Sequence, residues 1–425
     1  MPSCRTVIVA RGPLVRWAAA VICATLPPTA WAQGPAGSEF QVNSHTTDVQ
    51  SQAALASDAR GNFVVAWESE LQDGSSLGVF GQRFNAAGAR QGTEFQANVT
   101  IAGNQRDPAV ASNANGDIVV AWSSQDQDAP GGFGVFARRF NASGLAQGGE
   151  FQVNSYAASD QQVPAVASDP GGNFLVVWAS TGQDGGGTGI FGQRFNAAGV
   201  SQGGEFPINT YTTGNQYNPA VASDGNGDFV VVWRSLGQDG SVYGIFGQRY
   251  DASGTPLGGE FLVNTYTTNN QRDPRVAAAS NGSFVVAWQS ITQDGDGYGV
   301  FARRYDASGA PQGGEFQVNA HTTSYQGRVD VASDARGNFV VVWHSSYQDG
   351  SSLGVFGRRY DASGTPQGIE FQVNSYTSNH QRNPAVASAS DENFVVAWHS
   401  SDQDASSYGV FGQRYGDLIF RDGFE

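Results

Sequence analysis

The chain has 425 residues and a formal net charge of −15, and all 23 of its basic residues are Arg. So acidic a chain is repelled by nucleic acid and by anionic lipid, which makes both poor partners. Its two cysteines, Cys4 and Cys23, fall in the first 32 residues, so everything after them is built without a disulfide or a cysteine metal site.

Residues 1–32 read differently from the rest. Arg5, Arg11 and Arg16 make a basic start, residues 17–26 are apolar, and Ala30-Trp31-Ala32 places small residues at −3 and −1 of a cleavage site. This is the pattern of a secretory signal peptide cut after Ala32, and its apolar stretch is too short to span a bilayer. Ile22, just before Cys23, argues against lipidation. Loss of the three leader arginines, with no acid beside them, takes the charge from −15 to −18. The expectation is an exported monomer, extracellular, at the cell surface or periplasmic, with no membrane span. Residues 33–415 form one domain and 416–425 a tail.

The domain begins in mid-unit. Glu39-Phe40-Gln41-Val42-Asn43 has the composition of a strand that closes a repeat, with no repeat before it. Then come Trp67, Trp122, Trp178, Trp233, Trp288, Trp343 and Trp398, spaced 55 residues apart with one gap of 56. Each lies in the same stretch of sequence, so the chain is one unit written seven times. In the sixth copy, strand signals cover 329–333, 339–343, 354–360 and 370–374. The segments between them, such as Asp361-Ala362-Ser363-Gly364, have turn chemistry. The second strand decides the architecture. Phe339, Val341 and Trp343 point one way and Val340 and Val342 the other, so both faces are apolar and must be covered. Seven four-stranded sheets packed face to face in a circle make an all-β, seven-bladed β-propeller. The last copy lacks a closing strand after 409–415, which the orphan strand 39–43 would supply, removing an open sheet edge. The tail, 416–425, departs from the repeat and resembles short C-terminal tails ending in Asp-Gly-Phe-Glu on exported bacterial proteins.

The segment Ser-Asp-x-x-Gly-Asn-Phe-Val-Val-x-Trp looks like the strand–turn–strand core of many propeller repeats. It differs from the Asp-box, because Gly61 and Trp67 are separated by five residues rather than two. The whole unit, with Trp178, Gln183-Asp184 and Gly189-Ile190-Phe191-Gly192-Gln193-Arg194-Phe195, is similar to repeats of large exported bacterial proteins, often beside calcium-binding glycine-rich arrays. That resemblance implies secreted or surface placement rather than a particular chemistry.

Four groups of residues are candidates for function. The loop acids six residues past each Trp are either Asx-turn caps or calcium ligands. Asp294 and Asp296, close together in one loop, are the metal candidates, and calcium is the cofactor they would take. The recurring arginines, such as Arg83 and Arg249, are expected to pair across the hairpin with Glu94 and Glu260. The residues directly after the Trp vary: Glu68, Ser123, Ala179, Arg234, Gln289, His344 and His399. They end a strand, so they either drift as exposed positions or line a ligand face; Glu68, Arg234, Gln289, His344 and His399 are the ligand candidates. Tyrosines including Tyr243, Tyr298 and Tyr408 could stack on sugars or pack between blades. No His-x-x-x-His, Gly-x-Ser-x-Gly or phosphate loop is present, so no catalytic residue is assigned. The reading is an exported, non-enzymatic binding module, with a glycan or another envelope component as ligand. The alternatives are a glycan hydrolase with carboxylates facing each other across the channel, and a passive scaffold. Small residues lining the channel favour the binder; clustered acids favour the enzyme.

Overall fold

In the computed structural model, residues 34–389, 393–405 and 407–416 are described. Residues 1–32, expected to be a signal peptide, and all but the first residue of the tail lie outside them. The described chain folds as seven antiparallel four-stranded sheets arranged as a seven-bladed β-propeller, with no helix among the described residues. Blade 6 shows the plan: Gln326–Ser333, Phe339–Ser346, Leu353–Tyr360 and Phe371–Gln372, in that order from the central channel outward. We number blades 1 to 7 by the order of their first strands.

The second strands are covered on both faces, as their composition requires. In Phe339–Ser346 every residue but the last is buried. All seven repeat tryptophans have no solvent exposure. Each is buried by the blade before it: Trp343 and Val341 of blade 6 share a core with Val285, Ala287 and Val300 of blade 5. The last of these cores joins Val395, Ala397 and Val410 of blade 7 to Val65 and Trp67 of blade 1. None of the seven indole N–H groups has an acceptor among the described residues, so packing alone holds each ring.

Ring closure follows the expected pairing. Phe40 pairs with Gly412 and Gln41 with Phe411, so the N-terminal strand Phe40–Gln41 is the outer strand of blade 7. The ladder then continues through a side chain. Val42 donates its N–H to the Val410 carbonyl at 2.8 Å, and Asn43 Oδ1 accepts the Val410 N–H at 2.8 Å. The equivalent Asn does this in every blade, for example Asn374 for Val355 at 2.7 Å. The outer strand can therefore be short in backbone terms and still be fastened. Glu39 adds a clasp to blade 6 by accepting the Ser375 N–H at 2.6 Å.

The recurring Arg corrects the sequence reading. Arg83 does not pair with Glu94. It crosses to blade 2 and donates to the Ala142 carbonyl at 2.6 Å. Arg139 likewise reaches Ala197 of blade 3, and Arg414 reaches Ala86 of blade 1 at 2.8 Å. Arg249 donates to Ala307 and Ser308 of blade 5, and not to Glu260. The glutamates clasp the other way. Glu94 accepts Ser44 N–H at 2.8 Å and the Gln72 amide, and Glu260 accepts Thr210 N–H at 2.8 Å and the Gln238 amide. Both side chains join blades, which a pairing inside one hairpin would not do.

Two expectations follow. Deleting residues 34–43 leaves blade 7 with an open edge and exposes the Val42 side of a core. The shortened protein should lose its cooperative melt at the wild-type temperature and self-associate in sedimentation velocity; unchanged behaviour in both would refute the closure. Trp343→Ala should cost about 3–5 kcal/mol in denaturant unfolding. Trp343→Phe should cost well under that, because it removes part of a packed ring and no hydrogen bond.

Candidate functional site

At one end of the ring the copies stop resembling each other, and there each first strand carries a β-bulge. Register slips between Arg106 and Ala109, between Arg272 and Arg275, and at the same place in every other blade. The bulge explains why the first strand starts three residues earlier than its apolar run indicates: Gln326–Ser333 against 329–333. The second residue of each bulge is left-handed. Its φ is 53° at Gln52, 54° at Asp107, 53° at Val163, 53° at Asn218 and 52° at Asp273, Arg328 and Asn383. For a β-branched residue such as Val163 this is an unfavourable conformation, costing on the order of 1–3 kcal/mol. Seven such residues surround the channel mouth, and the deeper wall is built of small Pro-Ala-Val runs such as 108–110 and 384–386.

The bulge turns a backbone N–H toward the preceding blade, where the residue after the Trp meets it. Glu68 Oε1 accepts the Asp107 N–H at 2.6 Å, and Ser123 Oγ the Val163 N–H at 3.1 Å. Gln289 Oε1 accepts the Arg328 N–H at 3.2 Å, and His344 Nδ1 the Asn383 N–H at 3.2 Å. The five ligand candidates from the sequence therefore sit at one register around the ring, yet Glu68, Gln289, His344 and His399 are buried behind the mouth. Ala179 and Arg234 cannot accept a hydrogen bond. Arg234 instead lays its guanidinium over Tyr243, 4.9 Å from the ring centre, and over Tyr217 at 5.6 Å.

Other residues of the mouth escaped the sequence reading. Arg106 stacks on Phe133 at 3.9 Å, Arg272 on Tyr298 at 4.8 Å and Arg382 on Tyr408 at 4.6 Å. Arg106, Arg272 and Arg382 precede the bulge residues Asp107, Asp273 and Asn383. Their alignment with Arg234 across the first and second strands was hidden until the bulge register was known. Asp273 is buried and accepts from Asn218 Nδ2 and Gln289 Nε2, each at 2.5 Å. Tyr325 donates its hydroxyl to Gln289 Oε1 at 2.8 Å.

Burial governs protonation here. Desolvation by burial pushes the Glu68 carboxyl up to about 7, against the hydrogen bond from the Asp107 N–H, which lowers it. His344 and His399 are each pushed down to about 3, by burial first and then by the positive charges of Arg328 and Arg382. Both imidazoles are thus neutral at neutral pH.

The loop acids behave as turn caps. Asp349 Oδ1 accepts the Ser351 N–H at 3.0 Å, and a Cβ at Gly354 would come within 2.4 Å of Asp349 Oδ2, so only glycine fits there. Each metal candidate has one oxygen bonded within the protein, Asp294 Oδ2 accepting from Asn319 Nδ2 at 3.1 Å and Asp296 Oδ2 from Ser324 N–H at 2.9 Å, while Asp294 Oδ1 is buried without a partner among the described residues. Among the described residues no three His, Cys, Asp or Glu side chains are grouped to hold a metal ion. Among the described residues no helix is long and apolar enough to cross a membrane.

No protein-family profile matches the sequence, and no curated protein sequence does. Solved structures do resemble it. One is a protein of unknown function from Dyadobacter fermentans DSM 18053, 10% identical with a TM-score of 0.53, matched over 89% of this chain and 97% of that one. Another is the polysaccharide lyase Uly1, 10% identical with a TM-score of 0.50, matched over 88% of this chain and 90% of that one. At these identities the likeness is one of fold alone.

Two outcomes are expected. A folded state that keeps Glu68 protonated binds a proton that the unfolded chain releases above its ordinary value of 4.5, so stability falls as pH rises from there to about 7. Glu68→Gln keeps the acceptor for Asp107 N–H, as Gln289 does in blade 5. It should therefore raise the melting temperature clearly at pH 8 and little at pH 4.5; an equal change at both would contradict the burial of the carboxyl. Melting temperatures in millimolar calcium and in EDTA should coincide, since Asp294 and Asp296 already have protein partners.

Proposed function

We propose that the chain is an exported, non-enzymatic propeller, released after Ala32 and acting as a monomer, that binds a glycan at the channel mouth. The observation that carries this reading is where the repeat symmetry breaks. From blade 1 to blade 7 the residue directly after the Trp is Glu, Ser, Ala, Arg, Gln, His and His, and the residue directly before the bulge is Ser, Arg, Gln, Tyr, Arg, Gly and Arg, while the Trp itself never changes. A fold that needed those side chains would repeat them, as it repeats Trp and Asn. The mouth is instead furnished with half-buried aromatic rings, Phe133, Tyr217, Tyr243, Tyr298, Tyr325 and Tyr408, of the kind that offer an apolar face and a polar edge to a sugar.

The channel supports binding over hydrolysis. Its wall mixes small residues such as Ala109, Ala165 and Ala385 with polar ones such as Asn218, Arg275 and Asn383, and its acids Asp107, Asp273 and Asp330 come from blades 2, 5 and 6. Each is already engaged. Asp107 lies 3.5 Å from Arg106, Asp273 takes two amides, and Asp330 lies 3.8 Å from Arg275 and accepts the Val386 N–H at 2.8 Å. None of them stands as one of a free acid and base pair spaced for glycoside cleavage. Glu68, whose carboxyl burial pushes up to about 7, lies behind the bulge and accepts its N–H.

A glycan array probed with the exported chain should show binding to a defined group of glycans, with intact mass placing the N-terminus at Gln33. Tyr217→Ala together with Tyr243→Ala should abolish that binding without lowering the melting temperature by more than a few degrees. Silence across the array would leave the scaffold reading in its place.

A further inference from the structure

One sector of the mouth carries unused positive charge. Arg234, Arg272 and Arg328 come from blades 4, 5 and 6, which are neighbours in the ring. The Nε atoms of Arg234 and Arg272 are buried with no acceptor, and among the described residues none of the three guanidinium groups makes a hydrogen bond or ion pair. Elsewhere the arginines are occupied: Arg83, Arg139, Arg303 and Arg358 all donate to carbonyls of neighbouring blades, the last two through a terminal nitrogen although their Nε is likewise buried without an acceptor. The three lie close enough to act together. Tyr298 feels both Arg234 and Arg272, Tyr325 feels both Arg272 and Arg328, and the two tyrosine rings are 5.5 Å apart. The acids of this sector are engaged: Asp273 has its two oxygens taken by amides, and Asp330 lies 3.8 Å from Arg275 and accepts the Val386 N–H. Arg234, Arg272 and Arg328 therefore have N–H donors left over, and Tyr faces hold two of these three planar groups in position.

Buried donors without acceptors are rare in native proteins and call for a partner. A planar guanidinium fork matches a carboxylate or sulfate better than any neutral group. We infer that blades 4 to 6 form a receptor for an oxyanion carried by a saccharide, with Arg234, Arg272 and Arg328 as its ligands. This rests on the reading of the mouth as a glycan site and names the class of glycan. The formal charge of −15 bears on the form of the ligand. A long polyanion laid across the surface would be repelled, whereas a single charged residue at the mouth feels mainly the groups within a Debye length, about 8 Å at physiological salt.

Substitution by glutamine is safe at all three positions because the fold already contains it. Gln52 occupies the Arg328 position with the same φ, Gln162 the Arg272 position and Gln289 the Arg234 position. The test is calorimetric titration of the exported chain with three probes: a galacturonic acid trimer, a sulfated galactose oligosaccharide and a neutral galactose trimer. One or both acidic probes should bind, and the one that binds identifies carboxylate or sulfate as the group recognised. Arg272→Gln and Arg328→Gln should each weaken that binding by at least about tenfold. Arg60→Gln, in an exposed turn at the far end of the ring, should leave it unchanged. Neutral and acidic probes binding alike, or acidic binding indifferent to Arg272→Gln and Arg328→Gln, would overturn the oxyanion receptor and leave a glycan site standing. Failure of all three probes, with a positive glycan array for other neutral sugars, would overturn it equally; a silent array would remove both readings.

Discussion

The second strand of every blade is apolar on both faces, and a single sheet cannot bury both. Trp343 loses its last exposed surface only against Val285 and Ala287 of the neighbouring blade. Each indole contributes about 2–3 kcal/mol by area, and that contribution depends on a second sheet being in place. Stability is therefore held between blades, and a circle is the arrangement in which every blade has two neighbours. Arg83 reaching forward to Ala142 and Glu94 reaching back to Ser44 are polar forms of the same requirement. The N-terminal strand belongs to this account. Without Phe40 to Asn43, blade 7 would be the one sheet with an unpaired edge.

A ring tied this way leaves little freedom in its body, and the freedom that exists is gathered at the bulge. The seven bulge residues share one backbone conformation and hold Gln, Asp, Val, Asn, Asp, Arg and Asn. The copies act as a substitution series on a fixed backbone: the geometry is demanded, the side chain is not. The acceptor behind the bulge is nearly as tolerant. Carboxylate, hydroxyl, amide and imidazole all serve. Where Arg234 stands in that place, the contact to the next bulge is given up and a cation faces the mouth in exchange.

Much of the fold was legible because it is written in repeated signals. The Trp spacing, the two-sided apolar run and the orphan Glu39-to-Asn43 strand each have one physical solution. What escaped depends on direction in space. Arg83 and Glu94 are eleven residues apart across a hairpin, so a pairing inside the blade was the natural expectation, but both side chains extend sideways into different neighbours. The residues after the Trp were expected to end a strand, either drifting as exposed positions or lining a ligand face, yet the strand runs two residues further and Glu68, Gln289 and His344 are buried against the bulge of the next blade. The bulge itself was invisible. Its Pro-Ala-Val run reads as a short strand, and nothing in the one-dimensional pattern places a left-handed Arg328 or Val163 before it. Arg272 was missed for the same reason, since only the slipped register brings it beside Tyr298 and near Arg234.

Net charge and local charge point in opposite directions in this protein, and the geometry resolves the conflict. Arginine elsewhere in the ring is a structural donor whose charge is spent on backbone carbonyls. Those carbonyls belong to turns that any blade supplies, so a guanidinium that forgoes one is not compelled by the fold. Arg234 and Arg272 forgo it and lie on tyrosine faces. That orientation keeps the planar group rigid, so little side-chain entropy is lost when its N–H edge meets a partner. A guanidinium kept for stability would point at an acceptor already present. Arg303 and Arg358 also lie over tyrosine rings with Nε buried and unpaired, but each donates a terminal N–H to a carbonyl; Arg234 and Arg272, held against their rings with no N–H bonded among the described residues, are arranged for an acceptor that comes from outside.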